Sequence, residues 1–495
     1  MKKTTKNIII ALAALLVLGI AAAVLMLTAP EAEVQEESTT GSSLYDLTYL
    51  IEHDISDVEN IVLTTKETGE VWTMIPTKSG PEAEANNTFT FKGWEDEEVI
   101  LSDVMHVAKN FFSLTSSKEI PDVEDLAEYG LNGDGQFKGV VTYKDGTKDT
   151  VIVGYEAGET YGRYVLFNGE VHIVPMSSLL GSVQNDFIKT GLISIADNTE
   201  PDEKTGVLIP AEIQKLTLSG TNYPQTIVVQ RSNDSVLYYE VAEPVFAGAS
   251  SSRMDSFIAQ LQSVKANGVA VVHAEEADLE EHGLLEPAAV ATYELNNKKH
   301  EIRLGKKANG QYSMMVDDKD TIYLIDEASV DSWAKVSLFD VRDGFIRLAN
   351  IKSVKKLTVT SSAGKDVYDI ARTLNEEKST EIAPFYDLEV TKDGKAVEYD
   401  KAYQPFYQML LGVYLLNEEI REPEGDPILT IRYEYYSDAG YAKPFETVEF
   451  YADPENDRRC IATLNGQATG IVRASDIQNI IESQKTVGNF ELLEE

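Results

Sequence analysis

The chain has 495 residues, 82 of them acidic and 43 basic, for a formal net charge of −39. That balance argues against nucleic-acid binding by phosphate neutralisation and against docking onto anionic lipid through a basic face; it suits a protein kept soluble by like charge. The apolar fraction of 43% is that of a globular protein, and the single cysteine, Cys460, leaves no intrachain disulfide to stabilise it.

The chain opens Met1-Lys2-Lys3-Thr4-Thr5-Lys6-Asn7, and Ile8 to Leu27 follows without a charge. A run of about 20 apolar residues is long enough to cross a bilayer as a helix. With lysines before it and no basic cluster soon after, the positive-inside rule puts the N-terminus in the cytoplasm and the rest outside. A cleaved signal peptide is the rival reading. The run is long for an h-region of about 7–15 residues, and Pro30 sits where a small-residue cleavage site would be wanted. We expect residues 1–29 to form a cytoplasmic tip and transmembrane anchor. Residues 30–43, acidic and rich in Ser and Thr, read as a flexible tether.

Beyond the tether one module is written three times, over residues 44–200, 201–345 and a divergent 346–495. Val58-Glu59-Asn60-Ile61-Val62-Leu63-Thr64, Ile213-Gln214-Lys215-Leu216-Thr217-Leu218-Ser219 and Val354-Lys355-Lys356-Leu357-Thr358-Val359-Thr360 carry apolar residues at the same positions. Each opens a β-hairpin, continued by Val71–Ile75 in the first copy and by Thr226–Val229 and Val236–Tyr239 in the second. Helical stripes follow: Val104, Val107 and Phe111; Met254, Phe257, Leu261 and Val264; Phe406, Met409, Leu410 and Val413.

Asp125-Leu126-Ala127-Glu128-Tyr129-Gly130-Leu131 then matches Asp278-Leu279-Glu280-Glu281-His282-Gly283-Leu284. We read a short helical turn capped by the Asp and ended by a left-handed Gly. His282 stands where the first copy has Tyr129, which points to packing. Next come hairpins with turns at Asp145-Gly146 and Asn296-Asn297. They end in Gly154 and Gly305, where a bend or a close backbone approach is implied. Further strands at Arg163–Phe167 and Val171–Val174 match Tyr312–Val316 and Thr321–Ile325, and short helices at Ser177–Leu180 and Ala328–Trp333 close the two copies. The third copy keeps its strands, at Ile428–Tyr433, Thr447–Tyr451 and Ala468–Val472, but has Glu422-Pro423-Glu424-Gly425-Asp426-Pro427 in place of the capped turn. The expected fold class is α+β: tandem modules of mainly antiparallel sheet with packed helices, after an N-terminal transmembrane helix.

An N-terminal apolar helix followed by modules with Asp-Leu-x-x-x-Gly-Leu and a hairpin ending in Val/Leu-Gly resembles the domain-of-unknown-function family 4340. The resemblance covers most of residues 44–345 and extends more weakly beyond. It implies an extracytoplasmic accessory subunit of the kind often encoded beside ABC-type export permeases, and it supplies no catalytic residues to carry over.

The residues themselves offer no reaction. His53, His106, His172, His273, His282 and His300 lack the paired spacing of metal sites. There is no nucleophile elbow and no phosphate loop, and Cys460 lies in a strand-like run as a small hydrophobe. Three acidic runs are the best small-ligand candidates. Glu95-Asp96-Glu97-Glu98 reads as a helix N-terminus, Asp317-Asp318-Lys319-Asp320 as a hairpin turn, and Asp453-Pro454-Glu455-Asn456-Asp457 as a solvated turn with oxygens that could face Ca²⁺. No catalytic, cofactor-binding or metal-ligating residue is assigned. The expectation is a non-enzymatic, membrane-anchored extracytoplasmic accessory or scaffold protein at the cell membrane, with ABC permease and ATPase subunits as partners. A cell-envelope glycan- or peptide-binding module is the alternative, given the 24 tyrosines, and a hydrolase with a cryptic carboxylate pair is a third reading.

Overall fold

The computed structural model describes residues 48–79, 86–158, 162–194, 212–232, 237–295, 297–380, 384–441 and 443–493. The apolar run Ile8–Leu27 and the tether lie outside them. Among the described residues no helix is long and apolar enough to cross a membrane. The chain divides into two compact units, one of Met1–Asn87 with Val107–Leu180, the other of Thr88–His106 with Gly181–Glu495.

The mainly antiparallel α+β architecture is as expected. In the first unit the sheet runs, strand beside strand, Val71–Thr77, Val58–Thr65, Phe137–Tyr143, Lys148–Glu156, Arg163–Phe167, Glu170–Val174 and Lys118–Ile120. The second unit holds two sheets on the same plan. One has Ile227–Arg231, Ile213–Ser219, Ala289–Leu295, Lys298–Ala308, Gln311–Val316 and Ile322–Asp326 in that order, with Gly268–Val271 at its edge. The other has Gly364–Leu374, Val354–Ser361, Leu429–Tyr435, Phe445–Ala452, Arg459–Leu464 and Gln467–Arg473. In all three, the opening strand is paired on one side with its hairpin partner and on the other with a strand from later in the same copy.

The match extends to a single irregularity of register. Val58 pairs with Tyr143 and Asn60 with Thr142, so Glu59 is bulged. Gln214 and Lys355 are bulged in the same way, between Ile213↔Leu295 and Lys215↔Glu294 and between Val354↔Tyr435 and Lys356↔Glu434. A bulge of one residue restores the inward face after the kink. Val58, Ile61 and Leu63, with their counterparts Ile213, Leu216 and Leu218 and then Val354, Leu357 and Val359, are therefore all fully buried.

Each copy lays a helix over this strand pair: Leu101–Phe112, Ser251–Leu261 and Gln404–Leu411, the last entered through a π-turn at Tyr399–Tyr403. In the first helix Val104, Val107, Ala108 and Phe111 are buried while Ser102, His106 and Lys109 face water, as the stripe requires. The contact with the sheet is adjusted copy by copy. Phe111 fills the space above Gly139, which has no side chain. Tyr293 donates to the Leu261 carbonyl at 2.7 Å. Tyr407 meets Tyr433 edge to face at 6.2 Å.

Four details differ from the sequence reading. Gly154 and Gly305 do not end their strands, which run on to Glu156 and Ala308. Asp278 is not an N-cap. The helix Glu276–Glu281 starts a turn earlier, after Glu275, and Asp278 reaches back to accept from the Glu275 amide at 2.8 Å. Asp125 does cap its turn, accepting from Ala127 at 2.8 Å. The third strand of the second copy begins at Tyr239, with Tyr238 before it. A 15-residue C-terminal helix, Ala474–Gly488, buries Ile477, Ile480, Gln484 and Val487. Its apolar stripe is interrupted by Gln484, whose amide is fully used inside: it donates to Asp366 at 2.8 Å and to the Gly364 and Val359 carbonyls, and it accepts from Ser361 at 2.6 Å.

Candidate metal centre

Two of the acidic runs meet. Residues 93–98 form a tight loop in which Trp94 donates to the Phe91 carbonyl and Glu97 to that of Trp94. Val99 bridges to Ile188, and Lys189 donates to the Glu98 carbonyl. This loop lies beside the strand pair Gly268–Val271 and Ile322–Asp326, whose connecting segments carry His273 and Asp320. The backbone of Ala274 donates to Asp320 at 2.8 Å and fixes those two segments together. His273 itself adopts a left-handed conformation, φ 55°, as the chain turns out of its strand.

The result is a three-residue cluster. His273 Nδ1 stands 3.1 Å from Asp320 Oδ2 and 3.5 Å from Glu97 Oε1, and Nε2 stands 3.0 Å from the Gly93 carbonyl. Thr321 Oγ1 donates to the other Glu97 oxygen at 3.3 Å. Glu97 is the sheltered member, 11% exposed, against 39% for His273 and 59% for Asp320. Both ring nitrogens of His273 face acceptors, which only the doubly protonated ring satisfies. Its pKa is accordingly raised, first by the hydrogen bond to Asp320. Burial, with Asp320 alongside, pushes the Glu97 carboxyl up. Next to it Lys319 bonds Glu98 at 2.6 Å and holds that carboxyl down. Among the described residues Glu97, His273 and Asp320 form the one group of three such side chains whose ligand atoms all lie within 4.8 Å of one another.

The remaining candidates are spoken for locally. Asp453 accepts from Arg421 at 2.8 Å and from the Glu455 amide at 2.9 Å, and Glu455 pairs with the same arginine at 3.0 Å. Arg421 thus supplies the positive charge that a cation would bring to that turn. His300 bonds Asp317 at 3.0 Å, His172 meets Ser116 at 3.2 Å in the interior, and His106 is exposed on its helix. His282 bonds Ser313 at 2.8 Å, where the first copy stacks Tyr129 edge to face on Tyr164. Cys460 is buried in the strand Arg459–Leu464. In the sequence His273, like the other histidines, lacks the paired spacing of a metal site. Its partners come from loops far away along the chain, and no local pattern announces them.

Comparison with known proteins adds one result. Residues 240–410 match the model of a family described as a domain of unknown function (DUF4340). The matched range holds the segment Asp278–Leu284 and the strand Lys298–Ala308 with Gly305, two of the motifs that carry the resemblance. No curated protein and no solved structure matches the chain.

Proposed function

We propose that the chain is a non-enzymatic accessory or scaffold protein, anchored in the cell membrane by Ile8–Leu27 and working outside the cytoplasm beside an ABC-type transport system. The observation that carries this reading is the threefold use of one sheet plan, down to the same bulged residue in each copy. Repetition of a packed module multiplies surface. The family match covers residues 240–410 and names a domain of unknown function; the transport association is what the resemblance of the sequence motifs implies. The permease and its ATPase are the expected partners. Binding of a cell-envelope glycan or peptide is the alternative.

The test is a pull-down of the natively expressed, tagged protein in mild detergent, read by mass spectrometry. Reproducible recovery of an ABC permease with its ATPase supports the proposal. Recovery of neither, together with specific retention on purified cell wall, overturns it in favour of envelope binding. Replacing Ile8–Leu27 by an unrelated anchor then locates the contact: unchanged recovery places it in the modules.

A further inference from the structure

Glu97, His273 and Asp320 each bring one ligand atom within 4.8 Å of the other two. A tetrahedral ion with bonds of about 2.0–2.1 Å to nitrogen and oxygen sets its ligand atoms roughly 3.3 Å apart. The distances from His273 Nδ1 to the two carboxylates, 3.1 and 3.5 Å, bracket that edge. The imidazole is oriented from behind: Nε2 faces the Gly93 carbonyl at 3.0 Å, so Nδ1 is turned toward the carboxylates. A backbone carbonyl on the far ring nitrogen is the usual support for a metal-binding histidine. Thr321 braces Glu97 in the same way. Lys319, next to Asp320 in the chain, is paired with Glu98 at 2.6 Å. Exposure of His273 and Asp320 leaves an entry path and room for a water as fourth ligand.

We propose that Glu97, His273 and Asp320 bind one divalent transition-metal ion of the Zn²⁺ type. The imidazole nitrogen selects such an ion over Ca²⁺ or Mg²⁺, which prefer larger all-oxygen shells. The ion ties the loop of residues 93–98 to the segments holding His273 and Asp320, three parts of the second unit. This site is independent of the transport reading.

The test uses the full chain in detergent, freed of metal by chelator and titrated calorimetrically with Zn²⁺ and with Ca²⁺. The expected result is saturable uptake of one Zn²⁺ per chain, at least about tenfold tighter than Ca²⁺, with a rise in melting temperature. His273→Gln and Glu97→Gln are each expected to weaken Zn²⁺ binding by about 10–100-fold or more, the scale on which even supporting partners act. Asp453→Asn, in the other acidic turn, is expected to leave it unchanged. If His273→Gln fails to fold, Glu97→Gln carries the test. No saturable uptake, or uptake unchanged in His273→Gln and Glu97→Gln, overturns the proposal.

Discussion

The carbonyl of His282 occupies the space that a side chain on Gly305 would need. A Cβ at Gly305 would lie closer than 3.0 Å to that oxygen, and the neighbouring amide of Lys306 donates to it at 2.7 Å. Tyr129 and Gly154 repeat the relationship in the first copy. In both, the ladder to the next strand shifts register just past the glycine, between Val153 and Glu156 and between Leu304 and Lys307. The Gly-Leu turn and the glycine within the facing strand are thus two halves of one contact, which also seats Leu131 and Leu284 in the core. Gly305→Ala and Gly154→Ala are expected to destabilise their units by about 2–3 kcal/mol, since backbone cannot move aside as a side chain can. Denaturant unfolding of each variant checks this, with Gly310→Ala as a control for a glycine whose Cβ would meet open space at positive φ.

The third copy is held by a buried charge pair. Arg347 Nε lies 2.6 Å from Glu446 Oε2, with the side chains 4% and 6% exposed, and Tyr435 donates to the same carboxylate oxygen at 2.6 Å. Tyr441 stacks on Tyr435 with centroids 3.8 Å apart. Glu446→Ala removes the carboxylate that faces a buried arginine and is expected to cost about 3–5 kcal/mol. Replacing both members by apolar residues of similar volume is expected to cost much less, so the double variant's unfolding midpoint should lie above that of Glu446→Ala.

The exchange of an aromatic pair for a hydrogen bond between copies predicts coupling. Tyr129 with Tyr164 corresponds to His282 with Ser313 through the register of their strands. His282→Tyr alone loses a bond worth about 0.5–1.5 kcal/mol, and Ser313→Tyr alone crowds a buried position. Together they rebuild the edge-to-face pair, and the double variant is expected to be at least about 0.5 kcal/mol more stable than the sum of the singles. Strict additivity in a double-mutant cycle would contradict the correspondence.

Cys460 is 1% exposed, and burial pushes its thiol up to about 11. Between its ordinary value and that figure the unfolded chain loses the proton and the folded chain keeps it. The thiol's contribution therefore lowers stability as pH rises above about 9, and has no effect below it. Cys460→Ala is expected to reduce the alkaline loss. In the native protein at neutral pH a thiol reagent should react slowly, and in denaturant quickly.

The sequence displays those features that repeat or that rest on neighbouring residues. The opening strands align because their inward positions are apolar in every copy, and Gly154 and Gly305 stand out because both follow an apolar run. Helix Ala474–Gly488 escaped because its stripe contains Gln484, whose burial is made tolerable by acceptors from the hairpin Val354–Leu374. Asp278 aligns with the cap Asp125, but Glu275 and Glu276 extend that helix backward. The cluster at His273 was hidden for a different reason. Each acidic run has an adequate local explanation, and only the fold brings Glu97, from before the first helix, to a turn of the second sheet.

X-ray absorption at the zinc edge of the stoichiometrically loaded full chain tests that convergence most directly. The expected first shell is about four nitrogen and oxygen neighbours at roughly 2.0–2.1 Å, with the outer-shell scattering of one imidazole that is lost in His273→Gln. A shell of six oxygens without an imidazole signature, or one identical in that variant, would contradict it.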